Sequence, residues 1–443
     1  MGRCYSAKVN TGRTITIQPA RRIEGVIRVP GDKSISHRAL LLAALAEGRS
    51  EIVNLAPGDD CRATLDCLKR LGVMATSVPE SDRGQPGTWR IDGAGLSGLR
   101  PAPDGLDAQN SGTTSRMLMG VLAPSTFRTR IDGDASLQRR PMRRVVEPLA
   151  LMGARIETSD GRLPAIVTGS TLQGIDYLMP VPSAQVKSAI LLAGLHAAGR
   201  TTVRESVATR DHTERMLSAF GVRVEVDQGV VSVAGGQRLF AVHLTVPGDP
   251  SSAAFWAVAA AALPGSSIDI RDVGLNPTRI GFLDVLRRFG AEVSITASAD
   301  IEAESRGSMR VAHHGFGEVV VTPSEVPGLI DELPALAALA TFGGRLSVTG
   351  AAELRVKESD RISALAAGLR AMGADIEEAP DGFRIDGATR LRGGLVDAAG
   401  DHRLAMTFAV AALGATGPTT ISGAEAVSVS YPGFFELLAR MCA

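Results

Sequence analysis

One element recurs along the chain at nearly regular spacing, and it limits the folds that the chain can adopt. It has the form Leu-x-x-x-Gly followed by a short β-branched run, and its glycines are Gly72, Gly153, Gly221, Gly290 and Gly373. Apolar residues at helical spacing, a glycine at the C-terminal cap and a period-two run predict a helix, a tight turn and a strand. The separations of 81, 68, 69 and 83 residues imply about 74 residues per unit, so a chain of 443 residues predicts six units, the last one truncated at FFELLARM.

A second type of helix alternates with the first. Its six copies start near residues 31, 110, 182, 248, 329 and 401, each with small polar or acidic residues before an almost wholly apolar run. A helix that is apolar on all sides has to be buried, whereas the Leu-x-x-x-Gly helices keep charged residues on one face and should lie outside. Each unit is therefore predicted to supply one inner and one outer helix. The polar starts and free N–H groups of the inner helices suit N-caps and anion sites.

Length and composition narrow the classes of function. The chain exceeds the roughly 250–300 residues at which single cores stop growing, which predicts two domains. Lys plus Arg and Asp plus Glu balance at 47 each and aromatic residues are only 4%, so neither a basic field nor stacking platforms favour nucleic acid. The longest apolar run is shorter than the roughly 18–20 residues of a membrane span. We therefore expect neither a nucleic-acid nor a membrane partner.

The cysteines and the N-terminal residues give further expectations. The four cysteines show no CxxC spacing, which predicts reduced thiols and a cytoplasmic location. No His or Cys cluster has metal-ligand spacing, so no metal and no cofactor are expected. Residues 1–13 are expected to form a flexible tail, and the chain is expected to act as a monomer.

Cations and small polar residues gather at the starts of the inner helices. In GDKSISHR, the residues Lys33, Ser34 and Arg38 can all face one phosphate from a helix start. The GxxxxG that precedes a P-loop lysine is missing, so nucleotide hydrolysis is not predicted. In NSGT, Gly112 would let the backbone approach a ligand closely, with Asn110 beside it.

Carboxylates join the cations in the second half of the chain. Lys357, Glu358 and Arg361 of RVKESDR are spaced at i, i+1 and i+4, which predicts that the two cations share a helix face with the carboxylate beside them. LIDELP supplies Asp331 at one inner-helix start, and DHR supplies Arg403 at another. Cations combined with carboxylates suit anion binding with proton transfer.

Taken together, these motifs resemble the 5-enolpyruvylshikimate-3-phosphate synthase family from about Thr14 to the C-terminus. The motifs that carry the resemblance are PGDKSISHR, NSGTTSR, GDASLQRRPM, PSAQVKSA, TRDHTERM, GDPSSAAF, IDELP, RVKESDRI and DHRLAM. The resemblance implies an α/β fold of two domains, each built from three βαβαββ units around buried inner helices, as an inverse α/β barrel. One domain would comprise residues 14–31 plus 247–443 and the other residues 32–246, with the ligands in a cleft between them.

The family resemblance also implies an activity, that of a 3-phosphoshikimate 1-carboxyvinyltransferase. Such an enzyme transfers the enolpyruvyl group of phosphoenolpyruvate to the 5-hydroxyl of shikimate 3-phosphate, in aromatic amino acid biosynthesis. The two substrates would be its small-molecule partners, no cofactor would be needed, and glyphosate would compete at the phosphoenolpyruvate subsite.

Roles for individual residues follow from the same resemblance. The implied ligands are Lys33, Ser34 and Arg38 for both substrates, Ser183, Ala184, Gln185 and Arg210 for the shikimate phosphate, and Asn110, Gly112, Arg140, Arg361 and Arg403 for phosphoenolpyruvate. Asp331 would take or orient the hydroxyl proton, and Glu358 would serve the methylene carbon. Lys33 and Lys357 would stabilise phosphate charge.

Two positions depart from the family pattern. Val429 stands where the family often carries Lys before Ser/Thr-Phe-Pro, which puts one phosphate contact in doubt. Glu353 stands where many members have Asn, which puts one shikimate contact in doubt. Gly112 in place of a bulkier residue nevertheless predicts glyphosate sensitivity.

Two other functions remain open. The sister transferase that acts on UDP-N-acetylglucosamine shares the repeats but carries a reactive Cys near the stretch aligned with GDASLQRRP, and no Cys occurs here between Cys67 and Cys442. A phosphate-sensing protein without catalysis could use the same cations, but it would not need Asp331 or Glu358.

Overall fold

The computed structural model describes residues 9–10, 14–79, 87–299 and 303–442. The chain divides into two compact units. As far as the chain is described, unit one comprises Met1–Pro30, Gly248–Ala299 and Ser305–Ala443, and unit two comprises Gly31–Pro247 and Asp300–Glu304.

These limits differ in detail from the predicted domains. Gly31 and Pro247 belong to unit two, where the carbonyl of Pro247 accepts a hydrogen bond from the Asp32 N–H at 2.8 Å. Ala303 and Glu304 were expected in the domain that contains residues 247–443. They lie in unit two because Ala303 packs against that unit's hydrophobic core and Glu304 pairs with His212.

Each sheet has four strands in one recurring arrangement. The first two strands in space are parallel, and a hairpin then adds two antiparallel strands. In unit two, the sheets in spatial order are His243–Thr245, Glu47–Val53, Thr88–Ala94 and Met74–Val78; Leu106–Asp107, Arg128–Asp132, Arg162–Thr168 and Arg155–Ser159; and Asp176–Leu178, Arg200–Arg204, Val230–Ala234 and Val224–Asp227. In unit one, they are Glu24–Arg28, Ser267–Gly274, Arg306–Ala312 and Glu292–Ala297; Glu318–Val321, Arg345–Val348, Gly382–Asp386 and Asp375–Ala379; and Gly394–Asp397, Thr419–Ser422, Thr14–Ile17 and Val9–Asn10.

The predicted inner helices are almost wholly buried, as their apolar composition requires. They are Lys33–Leu45, Gly112–Leu122 and Ala184–Gly194 in unit two, and Pro250–Ala262, Leu333–Ala340 and His402–Ala412 in unit one. In unit one the three inner helices contact one another pairwise, and in unit two the helix Gly112–Leu122 contacts both of the others. The helix starts of each unit therefore belong to one packed layer.

The predicted outer helices expose most of their charged residues, but Asp60, Glu214 and Arg361 on three of them are buried. These helices are Asp59–Arg70, Arg143–Leu151, His212–Ala219, Gly281–Arg288, Arg361–Ala371 and Phe434–Met441. The glycines that follow the first five have φ between 88° and 103°, the left-handed region that the predicted C-cap requires. Shorter segments are the α-helices Ala135–Arg139 and Val326–Leu329 and the 3-10 helices Leu96–Gly98, Ala352–Val356 and Ala424–Val429.

Five of the six repeats run along the chain as strand, inner helix, strand, outer helix, strand, strand. The sixth ends at the outer helix Phe434–Met441, and Thr14–Ile17 and Val9–Asn10 supply the last two strands of its sheet, which completes the six βαβαββ repeats. Three strands reach their sheet from a distant part of the chain: His243–Thr245 pairs with Glu47–Val53, Glu24–Arg28 pairs with Ser267–Gly274, and Thr14–Ile17 pairs with Thr419–Ser422. Val9–Asn10 pairs with Thr14–Ile17, so the expectation of a tail is wrong for these two residues, because their backbone joins the ladder. The rest of residues 1–13 lies outside the described residues.

No helix among the described residues is long and apolar enough to cross a membrane.

Candidate active site

The inner helices begin with polar residues that cap their own helices. In five of them, a side-chain oxygen at the helix start accepts a hydrogen bond from a backbone N–H group. The accepting side chains are Asp32, Ser111 and Ser183 in unit two and Asp249 and Asp401 in unit one. The predicted anion sites at free helix N–H groups are therefore partly occupied by the protein's own caps. Because three of these caps are carboxylates, neighbouring cations must supply the attraction for an anionic ligand.

Arg38 is a buried cation of unit two. Its guanidinium donates to the hydroxyls of Thr213 and Ser188, both at 2.7 Å, and to the carbonyl oxygen of Ser34 at 2.8 Å. Burial lowers the pKa of Arg38 to about 10, so the side chain is still charged at neutral pH. Arg210 lies near enough for its charge to contribute to that lowering. Both predicted cations therefore belong to one cluster.

Lys33 and Asp60 form an ion pair at the start of the first inner helix. Lys33 Nζ lies 2.8 Å from Asp60 Oδ2, and the two side chains are 16% and 9% exposed. Because neither charge is well hydrated, removing one partner would leave the other poorly compensated. Lys33 nevertheless retains an accessible surface for a ligand, as does the half-buried Ser34.

Gly112 lies beside two guanidinium groups. A Cβ at this position would come within 2.6 Å of Arg116 Nη1 and 3.4 Å of Arg140 Nη1. Arg140 also donates to Asn110 Oδ1 at 2.5 Å, and the Asn110 amide donates to Asp134 at 2.7 Å. The missing side chain of Gly112 thus leaves room for two guanidinium groups beside the backbone. The close approach of a ligand at this position stays a prediction.

Gln185 joins the starts of two inner helices of unit two. Its carbonyl oxygen accepts from Arg116 at 2.7 Å, and its amide nitrogen donates to the hydroxyl of Thr113 at 2.9 Å. Ser183 and Ala184 stand immediately before it at the start of the helix Ala184–Gly194. The structure thereby brings the predicted ligands of the second and third inner helices together.

Arg361 is the centre of the charged cluster in unit one. Its Nε donates to Asp401 at 2.7 Å, and its terminal nitrogens donate to Glu358 at 2.5 Å and to Asp331 at 3.4 Å. The side chain is only 1% exposed. Burial by itself disfavours the guanidinium charge, but these three carboxylates outweigh burial and raise the pKa of Arg361.

Arg403 and Lys357 complete this cluster. Arg403 donates to the carbonyl oxygen of Asp331 at 2.8 Å and lies 3.5 Å from its carboxylate. Burial lowers the pKa of Lys357, although the charges of Asp331 and Glu353 oppose this effect. Asp331 is 14% exposed, so its carboxylate can reach a ligand as well as the cations.

Comparisons with known proteins cover nearly the whole chain. The family model described as EPSP synthase (3-phosphoshikimate 1-carboxyvinyltransferase) matches residues 17–438. The chain belongs to this family. It is 50% identical over 433 residues to the 3-phosphoshikimate 1-carboxyvinyltransferase of Halorhodospira halophila, covering 97% of this chain and 96% of that one. It is also 50% identical over 426 residues to the Pelotomaculum thermopropionicum enzyme of that name, covering 95% and 97%.

A solved structure gives the same assignment. The EPSP synthase of Acinetobacter baumannii superposes with a TM-score of 0.85 at 40% identity, covering 97% of this chain and 98% of that one. The EPSP synthase fold of two domains, each with three βαβαββ units, is therefore confirmed for this family member.

The prediction that Lys357 and Arg361 share a helix face is wrong for this EPSP synthase family member. Lys357 and Glu358 do not share a helix with Arg361, because Asp360 caps a new helix through the N–H of Ser363 at 3.1 Å. Lys357 instead follows the 3-10 helix Ala352–Val356 in extended conformation. The three side chains still belong to one cluster, since Glu358 folds back to Arg361.

Sequence reasoning missed a buried cation in the PSAQVKSA motif. Lys187 is 1% exposed, and its Nζ lies 2.7 Å from both Glu205 and Glu214. The signal was present, because a lysine within an otherwise apolar inner helix must find a buried partner. Asp60 was missed because an acidic residue in the first turn of an exposed helix is common and does not by itself indicate a site.

Metal ligands were not expected in this family member. In the described parts of the chain, no group of three or more His, Cys, Asp or Glu residues could hold a metal ion.

Proposed function

We propose that this chain transfers the enolpyruvyl group of phosphoenolpyruvate to the 5-hydroxyl of shikimate 3-phosphate, releasing phosphate. The observation that carries the proposal is the pairing of two carboxylates, Asp331 and Glu358, with the buried guanidinium of Arg361. Both substrates are multiply anionic, and the reaction also moves protons at oxygen and carbon. A cluster that combines cations with carboxylates meets both requirements. Membership of the EPSP synthase family over residues 17–438 supports this reaction.

The proposed reaction has an addition step and an elimination step. In the addition, the 5-hydroxyl oxygen bonds to C2 of phosphoenolpyruvate as its proton passes to Asp331, and Glu358, which enters this step as the carboxylic acid, gives its proton to the methylene carbon C3. Asp331 loses the proton to solvent before the next turnover. In the elimination, the bond from C2 to the phosphate oxygen breaks, phosphate leaves with the electron pair, and Glu358 takes a proton from C3. Lys33 and Lys357 stabilise the phosphate charge in both steps.

The binding roles are part of the same proposal. We assign Lys33, Ser34 and Arg38 to both substrates, Ser183, Ala184, Gln185 and Arg210 to the phosphate of shikimate 3-phosphate, and Asn110, Gly112, Arg140, Arg361 and Arg403 to phosphoenolpyruvate. Arg116 donates both to Gln185 and to the carbonyl oxygen of Gly112, so residues of the two proposed subsites share one guanidinium.

Phosphate release by the purified chain tests the proposal. We expect release with phosphoenolpyruvate plus shikimate 3-phosphate and none with phosphoenolpyruvate plus UDP-N-acetylglucosamine. Release with the second acceptor alone would assign the chain to the sister reaction, and release with neither would favour a phosphate-sensing protein. Asp331→Ala and Glu358→Gln should each lower turnover at least about 100-fold, a usual cost for losing a positioned acid or base. Near wild-type turnover in either variant would remove that residue from the mechanism.

The assembly state and location of the protein are further proposals. We propose a monomer in the cytoplasm with no membrane or nucleic-acid partner, in line with the charge balance and the cysteine spacing of the sequence. Light scattering on the purified protein tests whether it is a monomer, and cell fractionation tests the cytoplasmic location.

A further inference from the structure

Unit one contains a second buried charged cluster, which we call the Arg279 network. It consists of Asp249, Ser251, Arg279 and Glu332, which are 6%, 3%, 2% and 1% exposed. Asp249 and Ser251 come from the GDPSSAAF motif and Glu332 from the IDELP motif. None of the four has a role in the reaction proposed above.

The hydrogen bonds of this network run in one direction. Arg279 Nη2 donates to Asp249 Oδ1 at 3.1 Å and to the hydroxyl of Ser251 at 2.8 Å. The Ser251 hydroxyl donates in turn to the carboxylate of Glu332. A guanidinium can only donate and a carboxylate only accept, so the Ser251 proton must point towards Glu332. The carboxylate of Glu332 is thereby tied to Arg279 through one hydroxyl.

Glu332 directly follows Asp331, the carboxylate that we assign to the hydroxyl proton. The two residues form the turn that leads into the inner helix Leu333–Ala340. Arg403 holds this turn through the carbonyl oxygen of Asp331 at 2.8 Å, and Ser251 holds it through the side chain of Glu332. The backbone of the turn is therefore fixed from two sides.

The carboxylate of Asp331 makes two long contacts with guanidinium groups. Its contacts with Arg361 and Arg403 measure 3.4 and 3.5 Å, longer than the roughly 2.7–2.9 Å of a strong charge-assisted hydrogen bond. Because the side chain starts from this turn, the backbone of the turn also sets the direction of the carboxylate. A catalytic group displaced by about 1 Å can lose about 100-fold in rate.

We propose that Glu332 and Arg279 are positioning residues that aim the Asp331 carboxylate at the hydroxyl group of the acceptor. Arg279 orders Ser251, Ser251 anchors Glu332, and Glu332 fixes the turn that carries Asp331. This inference rests on the proposed function, because it assumes that Asp331 takes part in proton transfer.

The test compares variants of Glu332 in the full-length enzyme. Glu332→Ala removes the anchor and should lower kcat at least about 10-fold while the KM values of both substrates stay within about 3-fold. Glu332→Gln keeps an oxygen that accepts from Ser251 and should retain kcat within about 3-fold. Glu325→Ala is the control, because it removes a carboxylate of unit one that pairs with the partly exposed Arg288 and accepts from Thr322, outside the Arg279 network. It should leave kcat unchanged.

A double-mutant cycle separates positioning from general damage to the fold. In an Asp331→Glu background, the carboxylate already lies one methylene away, so Glu332→Ala should cost less than about a third of its wild-type effect in log kcat. An equal cost in both backgrounds would overturn the proposal, as would wild-type kcat in Glu332→Ala. If Glu332→Ala does not fold, Ser251→Ala breaks the same link while leaving every charge in place, and the same cycle then decides.

Failure of this inference can be told apart from failure of the proposed function. A wild-type enzyme that releases no phosphate with shikimate 3-phosphate refutes the function itself. If the wild-type enzyme is active but the effects of the substitutions at residues 331 and 332 on log kcat are additive, only the positioning role is refuted.

Discussion

Lys187→Met tests the buried ion cluster of unit two. The ammonium lies 2.7 Å from the carboxylates of Glu205 and Glu214, whose side chains are 3% and 6% exposed. Methionine has a similar length and is apolar, so packing within the inner helix is largely kept. The two carboxylates, however, lose their cation without gaining water. Breaking a buried pair from one side costs about 3–5 kcal/mol, and we expect a loss of this size in the free energy of unfolding of unit two.

The two tryptophans allow this loss to be measured in one unit. Trp89 belongs to unit two and Trp256 to unit one, so in a Trp256→Phe background the fluorescence during urea unfolding reports unit two alone. A chain with two units need not unfold in one step, which makes a probe specific to one unit necessary.

A neutral triple variant provides the control. Adding Glu205→Gln and Glu214→Gln to Lys187→Met removes all three charges and should restore more than half of the lost stability, since buried ion pairs can often be replaced by neutral groups at little cost. A loss below about 1 kcal/mol for Lys187→Met would refute the reasoning about buried charge. Failure of the triple variant to recover would assign the loss to packing instead.

Three further outcomes are expected. Gly112→Ala should raise the KM for phosphoenolpyruvate several-fold and weaken inhibition by glyphosate, because the added methyl group would displace the guanidinium ends of Arg116 and Arg140; steady-state kinetics with an unchanged KM would contradict this. Burial lowers the pKa of Lys357 below the ordinary 10.5, so activity should fall as pH rises through that lowered value. Lys357→Arg should move the alkaline limb of the kcat/KM profile to higher pH. An alkaline limb that does not move would mean that another group causes it. Burial also lowers the pKa of His37 below 6.5. Below pH 6.5 the unfolded chain therefore binds a proton that the folded chain does not, and the free energy of unfolding should fall by up to about 1.4 kcal/mol per pH unit. Urea midpoints of His37→Asn that fall with pH as steeply as those of the wild type would exclude this cause.

The repeat could be predicted because local and global signals agree at each copy. Gly153 and Gly290, for example, end outer helices in the left-handed region at φ of 97° and 103°, and no other residue type takes that conformation so readily. The inner helices were equally clear, because the run from Ala253 to Ala262 has no polar side that could face water.

Other parts of the site depend on contacts that spacing does not contain. Glu358 and Arg361 are three residues apart in a charged run that reads as a continuous helix, but the carboxylate of Asp360 offers the backbone a competing cap. Glu304 was assigned to the wrong unit because its partner His212 lies 92 residues away. Such pairings are decided by tertiary packing rather than by local pattern.

The acidic starts of the inner helices in unit one bear on the proposed binding of anionic substrates. Asp401 holds the Nε of Arg361 at 2.7 Å, whereas a terminal nitrogen of the same guanidinium is 3.4 Å from Asp331. The tight contact fixes the plane of the guanidinium, and the loose contact leaves one edge that a ligand carboxylate or phosphate could take over. Asp401 thus caps its own helix and also orients Arg361, which leaves this guanidinium beside the proposed proton-transfer groups Asp331 and Glu358.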